Sequence, residues 1–108
     1  MTPAGTTGNM TVPPADGTVT DDADHHRYVL DVDGRLAGQV VYSLQPGRIT
    51  FLHTEVEPEF EGEGVGSQMA KAVLDDARRR GLAVEPQCPF IAEYIARHPA
   101  YADLVRRP

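Results

Sequence analysis

The sequence has no tryptophan and one cysteine, Cys88, so no disulfide can form within the chain. Small secreted domains often depend on disulfides for stability, and this one is not built that way. A lone thiol suits a reducing, cytoplasmic setting. Basic residues are also few: 10 Lys and Arg face 16 Asp and Glu, for a formal net charge of −6. That balance argues against nucleic acid or an anionic membrane as the main partner. No apolar run approaches the roughly 20 residues of a membrane-spanning helix. The histidines at 25, 26, 53 and 98, taken with Cys88, match no zinc-ligand spacing, and no metal is expected.

The first 24 residues, "MTPAGTTGNMTVPPADGTVTDDAD", are poor in material for a core. Only Met1, Met10, Val12 and Val19 could be buried to any effect, too few to offset the entropy of ordering the segment. Residues 1–24 therefore read as a flexible tail, and 25–108 as one small domain. The tail has neither a basic start nor an apolar centre, so it is not a secretory signal.

What is present is regular. "RYVLDV" (27–32), "LAGQVVYSL" (36–44) and "RITFLHTEV" (48–56) read as strands, joined by the turn sequences Asp33-Gly34 and Gln45-Pro46-Gly47. Short turns between consecutive strands imply an antiparallel meander. The period then changes: Val65, Met69, Ala72, Val73 and Ala77 recur at three- and four-residue steps, which predicts a helix over about 64–80. Arg78, Arg79 and Arg80 complement its C-terminal dipole, and Gly81 stops it. "LAVEPQ" (82–87) reads as a fourth strand, parallel to the third through a right-handed crossover. Pro89 opens a second helix over 89–98, with Phe90, Ile91, Tyr94 and Ile95 on one side. The fold class is α+β.

Between the third strand and the helix lies "EGEGVGS", with Gly62, Gly64 and Gly66. Glycines at a helix start leave unpaired N–H groups pointing at one spot and let a pyrophosphate approach the backbone. A tight turn whose glycines only relieve sterics is an equal reading from spacing alone. The Gly-x-Gly-x-x-Gly dinucleotide fingerprint is absent.

The wider segment "VEPEFEGEGVGSQM" resembles the coenzyme A-binding motif of the GCN5-related N-acetyltransferases, whose pattern is Gln/Arg-x-x-Gly-x-Gly/Ala. Gly64 and Gly66 stand at its two small positions, and Glu61 replaces its Gln or Arg. From His53 to Leu104, through "HTEV", "EGEGVGS", "CPF" and "YIARHPAY", the chain resembles the small YjdJ-like branch, with which a glutamate at 61 is compatible. The resemblance implies an acetyltransferase fold, acetyl-CoA as cosubstrate and an amine acceptor, with a protein or peptide amine favoured by the short Asp33-Gly34 turn. It assigns coenzyme binding to Val56, Glu61, Gly62, Glu63, Gly64, Val65, Gly66 and Ser67. The pantetheine arm would run beside residues 53–56 and 84–88, with an oxyanion donor from the backbone of 52–56. Binding of coenzyme A without turnover is the alternative function.

Three side chains are candidates for the chemistry. Cys88, at a helix N-terminus, suits a nucleophile or an acid for the leaving thiolate, or else a small buried apolar residue. His53 and Glu55 are two apart on a strand and share a face, where either suits a general base or an outward polar pair. Tyr94 reads as a core aromatic, while His98 and Tyr101 read as structural.

Overall fold

The computed structural model describes residues 17–106. Alternating apolar and polar side chains in the first half of the chain build four antiparallel strands: β1 (Thr18–Asp22), β2 (Arg27–Val32), β3 (Arg35–Gln45) and β4 (Arg48–Val56). Helix α1 (Val65–Arg79) crosses to β5 (Ala83–Pro86), which lies parallel to β4, and α2 (Pro89–Arg97) and α3 (Ala102–Arg106) follow. The sheet order is β1-β2-β3-β4-β5. The fold is α+β with a mixed sheet, and the expected strand–helix–strand crossover is in place.

The expected tail needs correcting over its last residues. Thr18–Asp22 is a fourth antiparallel strand, paired with β2 from Thr18↔Asp31 to Asp22↔Arg27. Its one apolar side chain, Val19, packs against the core, and polar anchors add to that contact. The Tyr42 hydroxyl donates to Asp21 Oδ1 at 2.6 Å, and Gln68 Nε2 on α1 donates to the Gly17 carbonyl at 3.1 Å. An edge strand can be held by backbone pairing and such anchors, which composition does not reveal. Residues 1–16 of the expected tail lie outside the described residues.

One sheet face forms the core. Tyr28, Leu30, Val40, Tyr42, Ile49, Phe51 and Val84 pack beneath Val65, Met69, Val73 and Leu74 of α1, Ile91 and Ile95 of α2 and Leu104 of α3. Each fully buried Leu, Ile or Phe side chain contributes about 1.5–3 kcal/mol. The three arginines closing α1 do more than complement its dipole. Arg78 pairs with Asp103 at 2.9 Å and donates to the Ala100 carbonyl, tying α1 to the C-terminal segment. Arg80 reaches Asp76 at 3.2 Å and Asp21 at 3.5 Å, tying α1 to β1. Among the described residues the opposite sheet face carries no helix, and the site builds on that asymmetry.

Candidate active site

Strand β4 carries a bulge that decides which side chains meet. Val41 pairs with His53 and the next residue, Tyr42, with Phe51, so Leu52 is an extra residue without a partner on β3. Before the bulge Ile49 and Phe51 point into the core. A single inserted residue reverses the alternation. After it Thr54 and Val56 face the helices, while His53 and Glu55 face the open side.

Past the bulge, β4 also loses its other neighbour. Pairing with β5 ends at Phe51↔Pro86, and the Cys88 N–H makes a last bond to the Phe51 carbonyl at 2.9 Å. Beyond this point the strands part, and residues 52–56 border a gap. The Glu57 N–H bonds to the Ala37 carbonyl on the β3 side, so alternation turns the N–H groups of Thr54 and Val56 towards the gap. On the helix side, Cys88 caps the start of α2 and is buried, with Sγ 3.2 Å from Thr54 Oγ1.

On the open side a polar chain crosses the sheet. His53 Nε2 lies 3.6 Å from Glu55 Oε2, Gln39 Nε2 donates to Glu55 Oε1 at 2.8 Å, and Arg27 donates to Gln39 Oε1 at 2.8 Å. The Gln39 amide first, and His53 second, hold the Glu55 carboxyl below the ordinary glutamate range. Both His53 and Glu55 are more than half exposed, so a substrate can reach them.

The glycine loop opens α1 as a left-handed turn. Gly62 and Gly64 have φ of +83° and +80°, a region that disfavours side chains, and a Cβ at either would meet only open space. The first helical bond runs from the Gln68 N–H to the Gly64 carbonyl at 3.0 Å. The N–H groups of Val65, Gly66 and Ser67 therefore lie in the first turn, where no intrahelical carbonyl accepts them. Glu59 is neutralised by Arg35, whose guanidinium also lies 5.7 Å from the Phe60 ring centre. A cleft of about 360 Å³ runs here, lined by Val56, Phe60, Glu61, Gly62, Gly64, Val65, Gly66, Ser67 and Phe90.

The structure thus brings together on one cleft all the expected coenzyme-binding residues except Glu63, which does not line it. It separates the three candidates for chemistry: Cys88 lies on the helix side of β4, His53 and Glu55 on the open side. Gly66 differs from its neighbours, because a Cβ there would meet the Phe90 ring at 2.8 Å. Phe90 is 39% exposed rather than part of the core, and it walls the cleft. Sequence reasoning missed Phe90, Phe60 and the Thr54 hydroxyl. The Cys-Pro-Phe run, with proline opening the helix, was a usable signal for Phe90; nothing local marks the other two. Tyr94 stacks on His98 with ring centres 3.9 Å apart, and the Tyr101 hydroxyl donates to Asp75 at 2.7 Å. Among the described residues no group of three His, Cys, Asp or Glu could hold a metal ion, and no helix is long and apolar enough to cross a membrane.

Comparison with known proteins agrees with the fold. Residues 27–104 match a family model described as GCN5-related N-acetyl-transferase. Streptothricin acetyltransferase of Streptomyces lavendulae is 39% identical over 69 residues, 61% of this chain and 36% of that protein, so the chain spans about a third of that relative's length. The solution structure of a GCN5-like N-acetyltransferase from Staphylococcus aureus superposes with a TM-score of 0.63 at 23% identity, covering 83% of this chain and 88% of that one. The ribosomal-protein-S18-alanine N-acetyltransferase of Escherichia coli superposes with a TM-score of 0.51 at 20% identity, covering 54% and 38%. At these identities the structures speak for the fold.

Proposed function

We propose that this chain, which belongs to the GCN5-related N-acetyltransferase family, transfers the acetyl group of acetyl-CoA to an amine. The observation that carries the reading is the continuity of two features. The glycine cleft at the start of α1 leads past Val56 to the point where β4 and β5 part, beside Thr54 and Cys88.

Acetyl-CoA brings the thioester whose acyl carbon the amine attacks. The first-turn N–H groups of α1 suit its pyrophosphate, and the missing side chains at Gly62 and Gly64 allow close approach. Gly66 serves the same cleft by seating Phe90. The Thr54 and Val56 N–H groups face the gap, where they can stabilise a developing oxyanion. On the open side His53, held by Glu55, takes the proton that the attacking amine must lose. On the helix side Cys88, bonded to Thr54, supplies a proton to the departing thiolate. The carbon–nitrogen bond forms as the carbon–sulfur bond breaks, and the two protons move on opposite faces of β4.

Among the described residues no inserted helix walls the open face, since the two-residue turn Asp33-Gly34 joins β2 to β3. Amines on small molecules, peptides or proteins all have access. A cytoplasmic setting, where acetyl-CoA and reduced thiols are available, fits the single buried Cys88.

Calorimetric titration with acetyl-CoA tests the reading, run on wild type, Gly64→Asn and Gly64→Asp. Asparagine and aspartate meet a similar backbone strain at the left-handed position, so their difference isolates the negative charge. Binding by wild type, with aspartate weakening it at least tenfold more than asparagine, is expected. A folded wild type that does not bind acetyl-CoA would end the reading. Binding without amine-dependent release of coenzyme A would reduce the protein to a coenzyme A-binding module.

A further inference from the structure

Building on that reading, we propose that the acceptor is a zwitterionic diamine of the lysine or ornithine class, seated in a polar cavity on the open face. The cavity, of about 520 Å³, is lined by Ser43, Arg48, Thr50, Leu52, Glu85 and Gln87, among others. It runs along β4 and β5 directly up to the bulge, since Leu52 forms its end.

Two charges in this cavity stand out. Of the lysine and arginine side chains described, Arg27, Arg35, Lys71, Arg78, Arg79, Arg80 and Arg97 each pair with a carboxylate. Among the described side chains, Arg48 alone has no acidic partner. Glu85 has no cationic partner among them either, and its carboxylate accepts only from the neutral Thr50 hydroxyl at 3.5 Å and the Gln87 amide at 3.1 Å. Among the described side chains every other lysine and arginine is paired, while an unmatched guanidinium and an unmatched carboxylate share this one cavity.

Their order along the cavity specifies the ligand. Arg48 lies at the far end, Glu85 sits opposite Thr50 one strand step nearer the gap, and Leu52 lies one step beyond. Each step of two residues is about 6.6 Å. A carboxylate on Arg48 and an α-ammonium on Glu85 leave an aliphatic arm directed along Leu52, with its terminal amine at the gap beside His53. A chain-borne lysine, whose α-groups are locked in peptide bonds, offers neither charge.

Steady-state acetylation with three acceptors tests this: L-lysine, 1,5-diaminopentane (no carboxylate) and 6-aminohexanoate (no α-ammonium). Wild type is expected to favour lysine in kcat/KM by about tenfold over each analogue, equal to 1.4 kcal/mol per lost contact. Arg48→Gln should remove lysine's advantage over 1,5-diaminopentane alone, and Glu85→Gln its advantage over 6-aminohexanoate alone. Equal use of all three by wild type, or a preference for lysine blocked at both its α-amine and its carboxylate, would overturn the assignment. So would variants that slow the three acceptors alike. The titration with acetyl-CoA separates the two failures: binding with the wrong acceptor pattern rejects the diamine, and no binding rejects the acetyltransferase reading itself.

Discussion

Thr54 Oγ1 lies 3.2 Å from Cys88 Sγ, a contact that joins β4 to the residue capping α2 across the gap between β4 and β5. It exists because the extra residue Leu52 reverses the direction of every side chain after it. Without the bulge, His53 would face the thiol and Thr54 the solvent.

The first prediction concerns that contact. Cys88→Ala should lower kcat by roughly 10²-fold, at the lower end for loss of a general acid, with acetyl-CoA affinity little changed. Thr54→Val should lower it less, because the thiol remains but loses its orienting hydroxyl. Release of free coenzyme A, followed with a thiol reagent, reads both. An undiminished rate in Cys88→Ala would make this cysteine a packing residue.

On the other face, His53→Asn should reduce kcat about tenfold or more while leaving the affinity for acetyl-CoA unchanged. Gln39→Leu removes the hydrogen bond that contributes most to holding Glu55 below its ordinary range. The Glu55 carboxyl should then titrate at higher pH, as read by carbon NMR. No movement on Gln39→Leu would mean that the Gln39–Glu55 bond does not persist in solution.

Gly66 and Phe90 should behave as a coupled pair. Alanine is favoured over glycine inside a helix by roughly 1 kcal/mol. In wild type that gain is offset, since the new Cβ would stand 2.8 Å from the Phe90 ring. In a Phe90→Ala background, Gly66→Ala should therefore stabilise the protein by about 1 kcal/mol, but change little or destabilise when Phe90 is present. Urea unfolding of the four proteins measures the coupling, and additive effects would refute it.

Strand β1 should matter for stability, against what its composition suggests. Removing residues 1–24 rather than 1–16 should cost roughly 2–3 kcal/mol, because Asp21 is the acceptor for Tyr42 and a partner of Arg80. The same contact gives an alkaline signature. Burial first, and the Asp21 hydrogen bond second, push the Tyr42 phenol up to about 12. The folded protein then holds a proton that the unfolded chain loses near pH 10, so stability falls between about pH 10 and 12. Tyr42→Phe should flatten that fall. Unfolding midpoints measured across the range decide it, and an unchanged slope would remove Tyr42 from the account.

Much of this protein is set by short-range pattern. The three- and four-residue spacing from Val65 to Ala77 determined α1, because an apolar stripe on a helix has only one way to be buried. Asp33-Gly34 and Pro46-Gly47 determined the meander, because their backbone preferences fix how consecutive strands return. The glycines at 62 and 64 marked the loop where a backbone cradle could form. Three things were decided only by tertiary structure. Strand β1 exists because β2 offers it a ladder and Tyr42, Gln68 and Arg80 offer it anchors, all remote in sequence. Phe90 faces the cleft because Gly66 leaves room for its ring. The bulge at Leu52 has no signature of its own, since any residue in "FLHTEV" tolerates extended backbone. It is fixed by how β3 pairs on one side and how β5 departs on the other, and it alone sends Thr54 to the thiol and His53 to the open side.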